Sequence, residues 1–147
     1  MTRICVYCSS TDGLPDEYAT LARETGTEMA VRGHELVYGG SNRGLMGEVS
    51  RAFAEQSSKI TEIIPEWWSD LIVNRSNAIV TRSMEERLAQ FEKHSDAFLA
   101  LPGGYGTLQE IMHTLVARQL NQHQKPMAVV NPDKFFDPFF MQLHNLR

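Results

Sequence analysis

Short apolar runs alternate with helically spaced apolar residues from one end of the chain to the other. Ile4 to Cys8 is the first candidate strand. Tyr18, Leu21, Ala22, Thr25 and Met29 then recur at helical spacing, in a segment opened near Pro15 and stopped at Gly33. Glu35 to Tyr38 reads as a second strand and runs directly into a glycine-rich stretch, Gly39 to Gly47, behind which Leu45, Met46, Val49, Ala52 and Phe53 line one helix face. Lys59 to Ile64 is a third strand closed by Pro65, and Asn77 to Thr81 a fourth, after an irregular stretch holding Trp67 and Trp68. Ser83-Met84-Glu85-Glu86 has the form of a capping box, with Met84, Leu88 and Phe91 on one face of the helix that follows. Ala97 to Leu101 is a fifth strand, ending at a second glycine loop; Leu108, Ile111, Met112, Leu115 and Val116 mark the next helix. Met127 to Val130 is the last strand, and an aromatic tail, Phe135 to Leu146, closes the chain.

Alternating β and α elements with uniformly apolar strands imply a parallel sheet covered on both faces, because strands buried on both sides cannot afford polar alternation. The expected fold is α/β, a Rossmann-like doubly wound sheet with helices on both faces. At 147 residues the chain can bury one sizeable core and is short for two ordinary domains, so residues 1–147 are expected to form a single domain. The net charge of -4 and the absence of a Lys/Arg run argue against nucleic acid or an anionic membrane surface as partner. No apolar run approaches membrane-spanning length and the first residues read as a strand, so a cytoplasmic location is expected. Cys5 and Cys8 form a Cys-x-x-Cys, but residues three apart on an extended segment point to opposite faces; they are expected to be buried structural residues.

In a sheet of this kind ligands bind at the carboxyl ends of strands, and both glycine loops fall there, each between a strand and a helix. Glycine lets backbone approach an anion closely, while a helix start offers free N–H groups and a positive dipole end. Gly39, Gly40 and Gly44 of the first loop, and Gly103, Gly104, Gly106 and Thr107 of the second, are therefore candidate phosphate-binding residues. The spacing Gly39-x4-Gly44 matches a P-loop, yet Leu45 and Met46 stand where Lys and Ser/Thr would contact the phosphates and magnesium, which argues against an ATPase. The first strand leads into Cys8-Ser9-Ser10-Thr11-Asp12-Gly13 rather than G-x-G-x-x-G, which argues against NAD or FAD.

Two charged residues stand close to these loops in sequence or pattern. Thr107-Leu108-Gln109-Glu110 is itself a capping-box sequence, so Glu110 either reaches back to the Thr107 N–H or acts about one ribose away from a bound phosphate. Spacing leaves both readings open. Arg87 is by default a solvated or ion-paired side chain; its planar guanidinium would equally suit a phosphate or base.

Tyr38-Gly39-Gly40-Ser41-Asn42-Arg43-Gly44-Leu45-Met46-Gly47, together with Leu101-Pro102-Gly103-Gly104-Tyr105-Gly106-Thr107-Leu108-Gln109-Glu110, strongly resembles the Lonely Guy family of cytokinin riboside 5′-monophosphate phosphoribohydrolases, proteins long labelled lysine decarboxylases. The resemblance spans nearly the whole chain. It implies hydrolysis of N6-substituted adenosine monophosphates, and often AMP, to free base and ribose 5-phosphate, without metal or organic cofactor. It also implies a homodimer or higher homo-oligomer with sites near the subunit interface. On this resemblance Glu110 is the catalytic glutamate, Arg87 the catalytic arginine of a Met-x-x-Arg element, Gly103, Gly104, Gly106 and Thr107 the phosphate loop, and Met84 part of the nucleotide pocket. Departures are visible. Leu88 replaces the lysine usual after the arginine, Ser41 stands where a third glycine is usual, and Val116-Ala117-Arg118-Gln119-Leu120 replaces a Thr-Trp-Ala-Gln-Leu-like stretch. The segment between Pro65 and Met84 looks shorter than in plant members and lacks their glutamate, and the chain ends at Arg147, before the family's usual last helix, so Phe139, Phe140, Leu143 and Leu146 are expected to need cover from another subunit.

Two alternatives accompany this reading. A non-catalytic nucleotide or molybdenum-cofactor carrier would keep the loops without turnover. Lysine decarboxylation fits poorly, since Lys59, Lys93, Lys125 and Lys134 all lie away from the glycine loops and the Arg87/Glu110 pair. His34, His94, His113, His123 and His144 fit no metal-ligand spacing, so no metal site is expected.

Overall fold

The structure, a computed structural model, describes residues 1–72 and 77–146. Arg147 and part of the segment between Pro65 and Met84 lie outside the described residues. Six strands, β1 (Arg3–Tyr7), β2 (Glu35–Tyr38), β3 (Ile60–Pro65), β4 (Ala78–Thr81), β5 (Ala97–Ala100) and β6 (Met127–Val129), form one sheet in the order β4-β3-β2-β1-β5-β6. Every neighbouring pair is parallel. Five helices connect or follow them: α1 (Asp16–Val31), α2 (Gly44–Ala54), α3 (Met84–His94), α4 (Tyr105–Gln119) and α5 (Asp137–Asn145).

Strand residues alternate between two buried clusters, one on each side of the sheet, as the period of two requires. Val6, Cys8, Leu36, Tyr38 and Ile60 meet Ala22, Met29, Val49 and Phe53 of α1 and α2. Cys5, Tyr7, Val37, Ile63 and Phe98 meet Phe91 of α3, Ile111 of α4 and Phe136, which lies next to α5. The doubly wound expectation is met, and Cys5 and Cys8 are free, buried and in opposite clusters.

Helix ends follow their chemistry, with one exception. α1 begins after Pro15, and Gly33 beyond its end has φ +77°. Ser83 caps α3 by accepting from the Glu86 N–H at 3.1 Å, while the Glu86 carboxylate accepts from the Arg82 N–H at 2.7 Å. The exception is α4. It starts at Tyr105, behind Gly104 and without a side-chain cap, so Thr107 lies inside the first turn and Glu110 does not close a capping box.

The chain leaves β1 outward through β2, β3 and β4, then crosses back to place β5 on the other side of β1. The two connections that flank β1 therefore diverge at its carboxyl end and open a crevice there. Ser9, just beyond β1, ties the two sides together: its N–H donates to the Pro102 carbonyl at 3.0 Å and its carbonyl accepts from the Met46 N–H at 3.1 Å.

Candidate functional site

The crevice holds a cavity of about 280 Å³. Cys8, Ser9, Ser10 and Thr11 from the end of β1 form its floor, Arg87 and Met84 of α3 and Trp68 form one side, and Gly104, Tyr105, Gly106, Thr107 and Glu110 form the other. Of the residues singled out in the sequence, Glu110, Arg87, Met84, Gly104, Gly106 and Thr107 come together on this wall.

Glu110 is 3% exposed. Among the described residues its carboxyl accepts no hydrogen bond that would offset the loss of water around the charged form. Burial accordingly pushes its pKa up to about 7, against a downward pull from the positive charge of Arg87. The backbone around it is fixed by a relay in which the Thr114 hydroxyl, donating to the Glu110 carbonyl at 2.9 Å, sits 3.0 Å from the Tyr7 hydroxyl.

Arg87 is as deeply placed, at 3% exposed, which overturns the default of a solvated side chain. Its Nε donates to the Ile63 carbonyl at 3.0 Å and its Nη2 to the Gly39 carbonyl at 2.9 Å. The guanidinium lies between aromatic faces, with Cζ 5.0 Å from the Phe91 ring centroid and 5.4 Å from that of Trp68. Burial lowers its pKa from the ordinary value, and the negative charge of Glu110 opposes that shift. An arginine starts so far above neutrality that it remains a cation.

At the start of α4 the N–H groups of Tyr105, Gly106 and Thr107 have no carbonyl within their own helix to reach, and among the described residues none is taken by another group. They face the cavity with the positive end of the helix dipole behind them. Gly103 stands behind this turn: a Cβ there would lie 1.9 Å from the Thr107 Oγ1, so the loop closes on Thr107 only with glycine at that position.

The first glycine loop is built differently. The Gly44 N–H at the start of α2 already donates to the Asp12 carboxylate at 2.9 Å, and the Met46 N–H to Ser9. Gly39, Gly40 and Gly44 are not on the cavity wall; they allow close packing. Gly39 makes room for Arg87, whose Nη2 would be 2.4 Å from a Cβ there, and Gly44, at φ +57°, lies against the backbone of Ser9 to Thr11. Two backbone cradles on one anion were expected. The structure opens one helix start to the cavity; at the other the Gly44 and Met46 N–H groups are already taken by the chain itself.

Sequence reasoning passed over Cys8, Ser9, Ser10, Thr11, Trp68 and Tyr105. The first four carried a usable signal, since small polar residues follow directly on β1, beside the crevice. Trp68 carried none, because it reaches the site from a short 3₁₀ turn (Glu66–Leu71) whose placement depends on β3 and α3. Burial, reinforced by the charge of Glu110, raises the Cys8 thiol pKa, so that thiol stays protonated and is no nucleophile. Leu88, the departure next to Arg87, is buried and absent from the described cavity wall.

A parallel doubly wound sheet makes this an α/β protein of Rossmann type, with a free helix start and a buried carboxyl on one crevice. The family model described as "Possible lysine decarboxylase" matches residues 46–147, and the chain belongs to that family. Cytokinin riboside 5′-monophosphate phosphoribohydrolase LOG of Oryza sativa subsp. japonica is 42% identical over 140 residues, covering 93% of this chain and 58% of the relative. Cytokinin riboside 5′-monophosphate phosphoribohydrolase LOG5 of Arabidopsis thaliana is 38% identical over 138 residues, 92% of this chain and 60% of the relative. The chain thus spans about three-fifths of the length of these curated relatives. Among solved structures, the molybdenum cofactor binding protein from the phototrophic bacterium Rippkaea orientalis superposes with a TM-score of 0.75 at 25% identity, covering 98% of this chain and 85% of that one.

Proposed function

We propose that the chain hydrolyses the N-glycosidic bond of a nucleoside 5′-monophosphate to free base and ribose 5-phosphate. The observation that carries this reading is Glu110: a carboxyl with a pKa near 7, buried in the wall of a cavity one turn along α4 from its free helix start. The relatives named as phosphoribohydrolases support the same chemistry.

Phosphate rests on the N–H groups of Tyr105, Gly106 and Thr107, with Gly104 and Gly103 keeping the approach open. Glu110 lies one turn further along α4 and therefore faces the ribose. As the glycosidic bond breaks, positive charge grows on the sugar ring; the ionised carboxylate stabilises it, takes the proton of the attacking water, and so helps form the new bond at the anomeric carbon. The departing base leaves with the bonding electron pair and takes up a proton. Arg87, fixed by two carbonyls, holds Trp68 and the rim of β2 and β3 in register, and its charge favours the ionised form of Glu110. The assembly in this reading is a homodimer or higher homo-oligomer, following the family resemblance, and no metal or organic cofactor takes part.

Incubation with AMP and with isopentenyladenosine monophosphate, followed by chromatography of the free base, tests the activity. Release from at least one of them is expected, rising with pH through about 7 as Glu110 ionises, and Glu110→Gln is expected to lower it at least about a hundredfold. Glu110→Gln turning over like the parent would remove the reading. The likeness to a molybdenum cofactor binding protein supports a second reading, a carrier without turnover. Ligand retained through purification, with no base released from any nucleotide, would favour that alternative.

A further inference from the structure

Beside the main cavity lies an annex of about 180 Å³ lined by Ser10, Ser41, Arg43 and Trp68. Ser10 and Trp68 belong to both walls, so the annex is a side chamber of the same crevice. Its chemistry differs from that of the main cavity. The Arg43 guanidinium is exposed and, among the described residues, makes no ion pair or side-chain hydrogen bond. Ser41 is buried; its Oγ accepts from the Arg43 N–H at 3.1 Å, which fixes the hydroxyl and leaves its own proton to give. Among the described residues the annex has donors from Arg43, Ser10 and Ser41, one aromatic plate in Trp68, and neither a carboxylate nor an aliphatic side chain.

A nucleoside monophosphate is linear in the order phosphate, ribose, base. With phosphate at the start of α4 and ribose beside Glu110, an orientation that rests on the function proposed above, the base extends toward Trp68 and its far edge enters the annex. Trp68 is half-buried, held on its inner side by Arg87, and so offers a rigid face for stacking. A guanidinium fork pairs with two adjacent acceptors, which a 6-oxopurine presents as O6 and N7; a 6-aminopurine puts an N–H₂ donor at the first of these places, facing a cation. An isoprenoid substituent on that nitrogen would bring hydrocarbon against donors that need acceptors.

We propose that the annex makes 6-oxopurine nucleoside 5′-monophosphates the preferred substrates of this chain, with Arg43 reading the O6/N7 edge, Ser10 and Ser41 supplying further donors, and Trp68 stacking on the ring. Arg43 and Trp68 are then specificity-determining residues for the reaction.

The test measures binding of IMP, GMP, AMP and isopentenyladenosine monophosphate by calorimetry to the full-length Glu110→Gln protein, alone and with Arg43→Gln added, and turnover of the same four by the parent. IMP and GMP are expected to bind at least tenfold more tightly than the two 6-amino compounds, a difference of about 1.4 kcal/mol. Arg43→Gln is expected to erase that ratio by weakening IMP and GMP, and Trp68→Leu to weaken all four. AMP or its isoprenoid derivative binding as tightly as IMP overturns the proposal, as does an Arg43→Gln change that weakens all four equally, which would make Arg43 a phosphate contact. Base release from all four nucleotides at equal kcat/KM would leave the hydrolase reading standing and remove the annex. No base released from any, with the binding ratio intact, would do the reverse.

Discussion

Glu110 combines two properties that conflict in a stable protein: it is almost fully buried and it lacks a hydrogen-bonded partner among the described residues. Its folded pKa of about 7 lies above the ordinary carboxylate value of 4.5, so the folded chain holds a proton that the unfolded chain releases between those values. Stability is therefore undiminished below about pH 4.5, falls as pH rises through about 7, and stays reduced above that. The shift corresponds to a penalty of up to about 3 kcal/mol at pH 8, at 1.36 kcal/mol per pKa unit. Glu110→Gln removes the penalty. Chemical denaturation is expected to show the variant more stable than the parent at pH 8 and level with it near pH 5; a variant no more stable at pH 8 would mean that the carboxyl is better solvated than its surroundings indicate. A stability cost of this kind is the mark expected of a residue placed for chemistry, and Glu110 is the residue on which the proposed hydrolysis depends.

Among the elements, α3 and α4 hold the site through contacts that tolerate little extra volume. At Gly39 an added methyl would meet Arg87 Nη2 at 2.4 Å and Met46 Cε at 2.8 Å, forcing the guanidinium off the carbonyls that tie α3 to β2 and β3. Gly39→Ala is expected to lower the unfolding free energy by about 2 kcal/mol through overpacking, and to lower kcat/KM at least tenfold. Gly106 presents the opposite case, since nothing lies within 4 Å of a Cβ built there. Gly106→Ala within the first turn of α4 is expected to raise stability by up to about 1 kcal/mol, through helix propensity alone. Thermal melts of the two variants distinguish a glycine required by packing from one that leaves a helix start open; equal effects would contradict the assignment.

At the scale of the molecule, the sheet is clamped between two cores, and the aromatic tail belongs to one of them. Phe136 is 1% exposed and packs edge to face with Phe135 at a centroid distance of 4.9 Å and stacks on Phe140 at 6.0 Å. Phe135 in turn meets Tyr18 of α1 edge to face at 5.8 Å. The tail is thus anchored by one buried ring, while Phe140, Met141 and Leu146 stay exposed. Phe136→Ala is expected to cost about 3 to 5 kcal/mol in denaturant unfolding, the usual cost of removing a buried ring. A loss under about 1 kcal/mol would show that α5 is a surface appendage.

The order of strands and helices, the parallel sheet, the two glycine loops and the pairing of Glu110 with a nearby helix start were all legible in the sequence, because apolar period and glycine placement are local properties of the chain. Three matters were not. Thr107 and Glu110 left a capping box and a site carboxyl equally open, and only the fold, by starting α4 three residues earlier than a Thr107 cap would, freed the carboxyl to face the cavity. Arg87 read as a surface cation, since nothing local reveals that α3 points it at the ends of β2 and β3. The two glycine loops read as equivalent, yet Asp12 and Ser9, distant in sequence, occupy two N–H donors of one, while those of the other stay open. Each of these depends on which strands become neighbours, and β1 stands between β2 and β5 only once the whole sheet has formed.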